Sequence, residues 1–372
     1  MSEGASVQKC WVSVPGSSCG IRWGEGALDQ AGKVCRDTVG RPKRALLASE
    51  PGADADLTDY LGRLLVGEGF EVTPYEAGAE GSALRTLASA EAAFEALAAA
   101  GMTADDVCLA VGGTDLLSLM SHACSQWAQG TPLVVVPTDE EALLRGCTTP
   151  RGLDVGEAPQ MVASRACAKS AVCEPSVTVH DLDSESSRMA RALMVATAVS
   201  QSEKEFSALW DRAEQVMSGS PLLFCDQLAE TAKGRGHIVS STSVAIRESA
   251  RYGEDIAAAL AALVPADVAP STLVAEGLRF AARLSVGLSK LSVDDMLAQD
   301  ELLEALGLPA LSCEVDPAEL RQALRAERFR RTNRFMLLVP EALGRVRLAN
   351  LDDELLREHT EAWCAAHAPQ GE

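Results

Sequence analysis

The residues whose types and spacing could do chemistry cluster between positions 107 and 138. Val107-Cys108-Leu109-Ala110-Val111 is a short, apolar, partly β-branched run that enters Gly112-Gly113-Thr114-Asp115 and then a helical pattern. Paired glycines at such a junction let backbone N–H groups approach a phosphate at the start of a helix. The same residues also make an ordinary tight turn. A second apolar run, residues 132–136, ends in Pro137-Thr138 and turns on the same rim. Other reactive residue types show no pattern. The 11 cysteines contain no CxxC pair and the 5 histidines are never four apart, which argues against a zinc knuckle or a disulfide scaffold. Cys147 lies in a Gly-Cys-Thr-Thr-Pro turn with no activating base beside it. His122 reads as a helix histidine, and the basic run 325–334 as a solvated helix face.

Positioning those residues takes an alternation of strand and helix. Residues 43–49, 69–75, 107–111 and 132–136 read as strands, and residues 58–67 and 82–101 as helices between them. Strands separated by helices imply βαβ units and a parallel sheet. Beyond residue 183 the strand signal fades. Residues 184–210, 221–233, 240–263, 271–290, 294–306 and 317–331 are helical in period, residues 334–339 read as a late strand, and residues 352–366 as a last helix. The expected organisation is a Rossmann-like α/β domain over residues 1–182 and a mostly α-helical domain over residues 183–372.

Composition limits the partners. With 33 Lys and Arg against 53 Asp and Glu, the net charge of −20 disfavours nucleic acid and anionic membranes. An apolar content of 47% with 4% aromatics describes a core packed with Ala, Leu and Val, which rules out disordered and fibrous classes. No stretch reaches the roughly 18 apolar residues of a membrane helix. Met1 to Ser6 carry neither the basic flank nor the apolar run of a secretion signal. Scattered, unpaired cysteines fit reduced thiols, so the expected location is cytoplasmic.

In order and spacing, these pieces resemble the 3-dehydroquinate synthase family and its sugar-phosphate cyclase relatives. There a strand enters a GGGxxGD turn and a helix, a second strand ends PTTLLAxxDSSxGGK, and a helical metal-binding domain follows. This chain reads AVGGTDLLSLMSHACSQWAQGTPLVVVPTDEEALLRGCTTPRG over residues 110–152 at matching spacing. Ala77-Gly78-Ala79-Glu80 stands where the family has its GExxK turn, and residues 274–285 are similar to the helix after its HGEAV motif. The likeness runs from about residue 8 to about residue 350.

The resemblance implies a dehydroquinate-synthase-like fold, NAD, a zinc or cobalt ion held by one Glu and two His, and a homodimer. Carried over residue by residue, the metal positions fall on Met194, Glu254 and Pro270. A thioether, a carboxylate and an imino acid do not reproduce three N/O ligands, so zinc or cobalt is not expected. The catalytic positions fall on Arg145, Arg151 and Thr197. On the cofactor side Gly112, Gly113, Thr114, Asp115 and Thr138 take the places of the glycine turn and the PTT strand end. Thr114 is bulkier than Gly there, and the acids Asp139, Glu140 and Glu141 would repel a pyrophosphate, so NAD binding stays open. Lys233 and Arg247 stand where the family contacts its anionic substrate, and Arg251 adds a third cation, with His237 near them.

Two functions follow from the resemblance. In the first, the chain is a degenerate homologue without metal site or cyclase activity, related to the shikimate pathway, that acts as a binding, regulatory or partner subunit. In the second, it is an enzyme of the same superfamily acting on an anionic sugar phosphate or keto acid, with 3-dehydroquinate synthase activity held by replacement ligands or with a drifted activity. A related alcohol dehydrogenase is disfavoured because its Asp/His ligand set is equally missing.

Overall fold

The computed structural model describes residues 7–368, so the reading of the first six residues lies outside it. The chain forms two compact units. One takes in the chain up to His180 together with Pro221–Ser240, and the other Asp181–Ser220 together with the chain from Ser241 onward.

The first unit carries strands β1 (Gln8–Val14), β2 (Ser17–Trp23), β3 (Arg44–Ser49), β4 (Glu71–Glu76), β5 (Val107–Gly112), β6 (Leu133–Pro137), β7 (Leu153–Val155), β8 (Ala158–Val162) and β9 (Ser170–Cys173). Seven of them make one sheet in the order β1-β2-β9-β6-β5-β3-β4, parallel except for the β1–β2 hairpin, while β7 and β8 pair separately. Every residue of β5 and β6 is buried, as expected for central strands covered on both faces. From β3 the chain crosses to β4 on one side and returns to β5 on the other. The order therefore reverses between β3 and β5, and the crevice at their carboxyl ends is where such sheets hold ligands.

The helix Pro221–Ser240, read from sequence with the second domain, packs in the first unit instead. Glycine makes this possible. A Cβ on Gly236 would lie 2.4 Å from Val12 Cγ1 and 2.5 Å from Ser13 O, so only a bare backbone comes this close to β1. Trp23 Nε1 donates to Asp226 Oδ1 of the same helix at 2.7 Å.

The second unit is mostly helical, with one hairpin of β10 (Met336–Ala342) and β11 (Arg345–Asn350). The late strand expected at residues 334–339 starts two residues later and finds a partner in β11. The helix expected over residues 184–210 is two, Glu185–Gln201 and Glu203–Val216. Ser202 breaks it by turning extended and accepting the Glu205 N–H on its Oγ at 3.1 Å. The helix expected over residues 240–263 is also broken, into Val244–Glu248, a 3-10 turn and Glu254–Ala261. Gly253 at that break has φ +85°, a left-handed conformation suited to glycine. The buried helix Pro270–Gly287 forms much of this unit's core.

Candidate functional site

The carboxyl ends of β3, β5 and β6 bring together Gly112, Gly113, Thr114, Asp115 and Thr138 with four acids. Gly113 precedes the helix Thr114–Gln126, whose first N–H groups have no partner within the helix. Glu50, directly after β3, supplies one. Its Oε1 accepts the Gly113 N–H at 3.1 Å, and the Leu116 N–H also turns to its carboxylate. A Cβ on Gly112 would stand 3.1 Å from Glu50 Oε1, and one on Gly113 would stand 2.9 Å from Asp139 Oδ2. The paired glycines therefore make room for carboxylates of the protein itself.

Burial raises the Glu50 carboxyl above its ordinary range, the two backbone N–H groups pull it back, and the Asp115 and Glu80 charges push it further up. Asp139 caps the helix Glu140–Thr148 by accepting the Ala142 N–H at 2.7 Å. Burial nevertheless pushes its carboxyl up to about 7, with Glu141, Glu140 and Glu50 adding to the rise. Glu140 is fully buried and accepts the His180 N–H at 2.7 Å. The Thr138 N–H donates to Gly112 O at 3.1 Å, which locks the ends of β5 and β6 together.

Beside the glycine turn lies a chain of ion pairs. Asp115 pairs with Arg85, Arg85 also reaches Asp154 at 3.5 Å, and Arg151 stands 4.0 Å from Asp115. Glu141 accepts from Arg145 at 2.6 Å and from Arg151 at 2.5 Å. Burial alone would raise the Glu141 carboxyl, but the two guanidinium groups outweigh it and hold it below the carboxylate range. Arg145 and Arg151, at positions carried as catalytic, thus face a carboxylate of their own chain. Lys233 pairs with Glu230 at 2.7 Å on the helix Pro221–Ser240. Cys147 is fully buried, and its contact with Cys19 and that burial hold its thiol far above the range of a reactive cysteine.

The remaining carried-over residues lie in the second unit. Arg247 Nη1 donates to the carbonyls of Ser241 and Thr242 at 2.7 and 2.9 Å, and Arg251 Nη2 meets Asp255 Oδ1 at 2.6 Å. Met194 is buried inside its helix, and Thr197 Oγ1 donates to Leu193 O at 2.6 Å. Glu254 opens the helix Glu254–Ala261 with Arg251 Nε 3.9 Å away, and Pro270 is the first residue of the helix Pro270–Gly287. Among the described residues no group of three or more His, Cys, Asp or Glu stands placed to hold a metal. The residues at the three metal positions do not fit such an ion, since Pro270 has no side-chain donor and Met194 offers a buried thioether.

A dinucleotide pyrophosphate fits the glycine turn no better. It would need the Gly113 N–H that Glu50 already takes, and it would meet two carboxylates there. Glu50, Arg85 and Asp154 were not identified from sequence. Glu50 carried one signal, an acid directly after an apolar strand at the carboxyl edge, but its partner lies 63 residues onward.

No family model matches the chain. A 3-dehydroquinate synthase of Rippkaea orientalis is 22% identical over 355 residues, covering 90% of this chain and 93% of the relative. Among solved structures, a 2-deoxy-scyllo-inosose synthase superposes with a TM-score of 0.77 at 15% identity, over 95% of this chain and 99% of that one. A 2-epi-5-epi-valiolone synthase from Streptomyces hygroscopicus with NAD+ and Zn2+ bound gives 0.77 at 15% identity, over 93% and 96%. The chain resembles 3-dehydroquinate synthases and has the fold of the sugar-phosphate cyclases, a Rossmann-like parallel sheet followed by a mostly helical region.

Proposed function

We propose that this chain is a 3-dehydroquinate synthase-like protein that acts by binding, as a regulatory or partner subunit and in a homodimer, and does not carry out NAD- and metal-dependent cyclisation. The observation that carries this reading is the Glu50 carboxylate on the Gly113 N–H, at the turn where the fold would cradle a pyrophosphate. The absence of side-chain donors suited to a metal at Met194 and Pro270 supports it independently. No helix among the described residues is long and apolar enough to cross a membrane.

The test is to incubate the purified protein with 3-deoxy-arabino-heptulosonate 7-phosphate, NAD+ and zinc or cobalt, and to follow phosphate release. The expected result is no release above the protein-free rate and no change in Tm with EDTA or added zinc. Release at an enzymatic rate would overturn the proposal and place the metal on other residues. The end-to-end likeness to 3-dehydroquinate synthases favours a second reading, an enzyme working on an anionic sugar phosphate or keto acid. A ligand-dependent product from a panel of such compounds, formed without metal, would support that one. Sedimentation velocity tests the dimer.

A further inference from the structure

At the opposite end of the sheet from Glu50 and Gly113, the β1–β2 hairpin and the helix Ala31–Val39 border a cleft of about 350 Å³. Pro132 and Ser170, at the starts of β6 and β9, line it as well. In a chain of net charge −20, this cleft concentrates cations, with Lys9, Arg22 and Lys169 in its lining against one acid, Asp37. Lys9 and Arg22 are directly opposite each other in the β1–β2 register. Like charges in that relation destabilise a hairpin unless an anion sits between them. Arg22 leans on Asp37 at 3.5 Å and Lys169 donates to Ser17 Oγ at 2.7 Å, whereas Lys9 has no hydrogen-bond or ion-pair partner among the described residues.

The same face carries an aromatic wall. Trp11 is 68% exposed, an unusual state for an indole, and lies opposite Gly20 in the register. Its Cζ3 comes within 3.1 Å of where a Cβ on Gly20 would stand, so the glycine admits the ring across the strand. Val34 and Pro132 continue the apolar lining. Cations beside an exposed indole recognise a charge and a flat apolar face in one ligand.

We propose that this cleft binds a small aromatic carboxylate, with its ring against Trp11 and its carboxylate between Lys9 and Arg22, the pair directly opposite each other in the register. The proposal is independent of the reading of the glycine turn. The full-length protein is titrated calorimetrically with salicylate, with neutral salicylamide and with inorganic phosphate. Saturable salicylate binding is expected, with salicylamide at least about tenfold weaker. Lys9→Gln and Trp11→Ala should each weaken salicylate at least about fivefold, while Lys204→Gln, at an exposed lysine of the second unit, leaves it unchanged. Both cleft residues are exposed, and unaltered thermal unfolding would show that their variants are folded. Absent saturation, equal binding of salicylamide, or full affinity in either cleft variant overturns the proposal. So does phosphate binding as tightly as salicylate, because the ring then contributes nothing.

Discussion

Asp139 Oδ2 stands 2.9 Å from the point that a Cβ on Gly113 would occupy, and Glu50 Oε1 stands 3.5 Å from the same point. Two carboxylates thus share the footprint of one glycine at the start of the helix Thr114–Gln126. Positive helix ends favour one anion, and Glu50 is placed to be that one because it accepts the N–H groups. Burial and neighbouring carboxylates raise both groups, and Asp139 is pushed up to about 7.

That division of roles makes the stability of the protein depend on pH. An unfolded aspartate titrates near 3.9, whereas Asp139 is pushed up to about 7, so the folded state holds its proton more tightly. Its contribution is fully present below about pH 4 and is lost as pH rises through about 7. Asparagine keeps the helix cap and removes the titration. Between pH 5 and pH 8 the wild type should lose on the order of 1–3 kcal/mol relative to Asp139→Asn, less than the whole shift implies because the side chain is partly exposed. Urea unfolding of both proteins across that range measures it. A constant difference would mean that Asp139 titrates as it does in the unfolded chain.

If Glu50 and Asp139 are what keep a dinucleotide out, neutralising them should let one in. The double variant Glu50→Gln, Asp139→Asn removes both charges and keeps both shapes. Its affinity for NAD+, read by equilibrium dialysis, should exceed that of the wild type by at least about tenfold, equivalent to about 1.4 kcal/mol. An unchanged affinity would locate the obstacle elsewhere, and the account of the glycine turn would be wrong.

How far the sequence announced this architecture depended on whether each signal was local. β5 and β6 were legible because burial on both faces makes them continuous apolar runs. β1 was not, since QKCWVSV mixes exposed and buried residues at an edge, and four-residue β9 is too short to carry a period. The break at Ser202 hid inside an apolar periodicity that continues through both helices. At the site, the glycine turn and the acids after Thr138 could be read directly. The pairing of Glu50 with Gly113 could not, because it is a contact between two strand ends brought together by the crossover order.

Gly236 offers a test of the placement of the helix Pro221–Ser240 in the first unit. Alanine is the better helix former, so on an exposed face Gly236→Ala would stabilise by up to about 1 kcal/mol. Here the new methyl would meet Val12 Cγ1 at 2.4 Å and Ser13 O at 2.5 Å, and β1 would have to yield. The expected result is a destabilisation of roughly 1–3 kcal/mol in urea unfolding. A stabilised variant would detach this helix from β1.

A second carboxylate, Glu276 in the second unit, shows the opposite sign. It is fully buried and accepts from Arg279 Nη1, His367 Nε2 and the Leu311 N–H, each at 3.0 Å, and from Trp363 Nε1 at 3.4 Å. His367 stacks on Trp363 with ring centroids 4.2 Å apart, so one carboxylate ties the helix Asp353–His367 to the helix Pro270–Gly287. Burial would raise the Glu276 carboxyl, but His367, Arg279 and the Leu311 N–H outweigh it and lower it. Its stabilisation is therefore present above the unfolded value near 4.3 and is lost as pH falls through the lower folded one. Glu276→Ala leaves buried Arg279 without this partner and should cost about 3–5 kcal/mol at pH 7, with Glu276→Gln costing less because its amide oxygen still accepts. Urea unfolding followed by far-UV circular dichroism ranks the two variants. An alanine variant as stable as the wild type would mean that apolar packing alone holds the last helix in place.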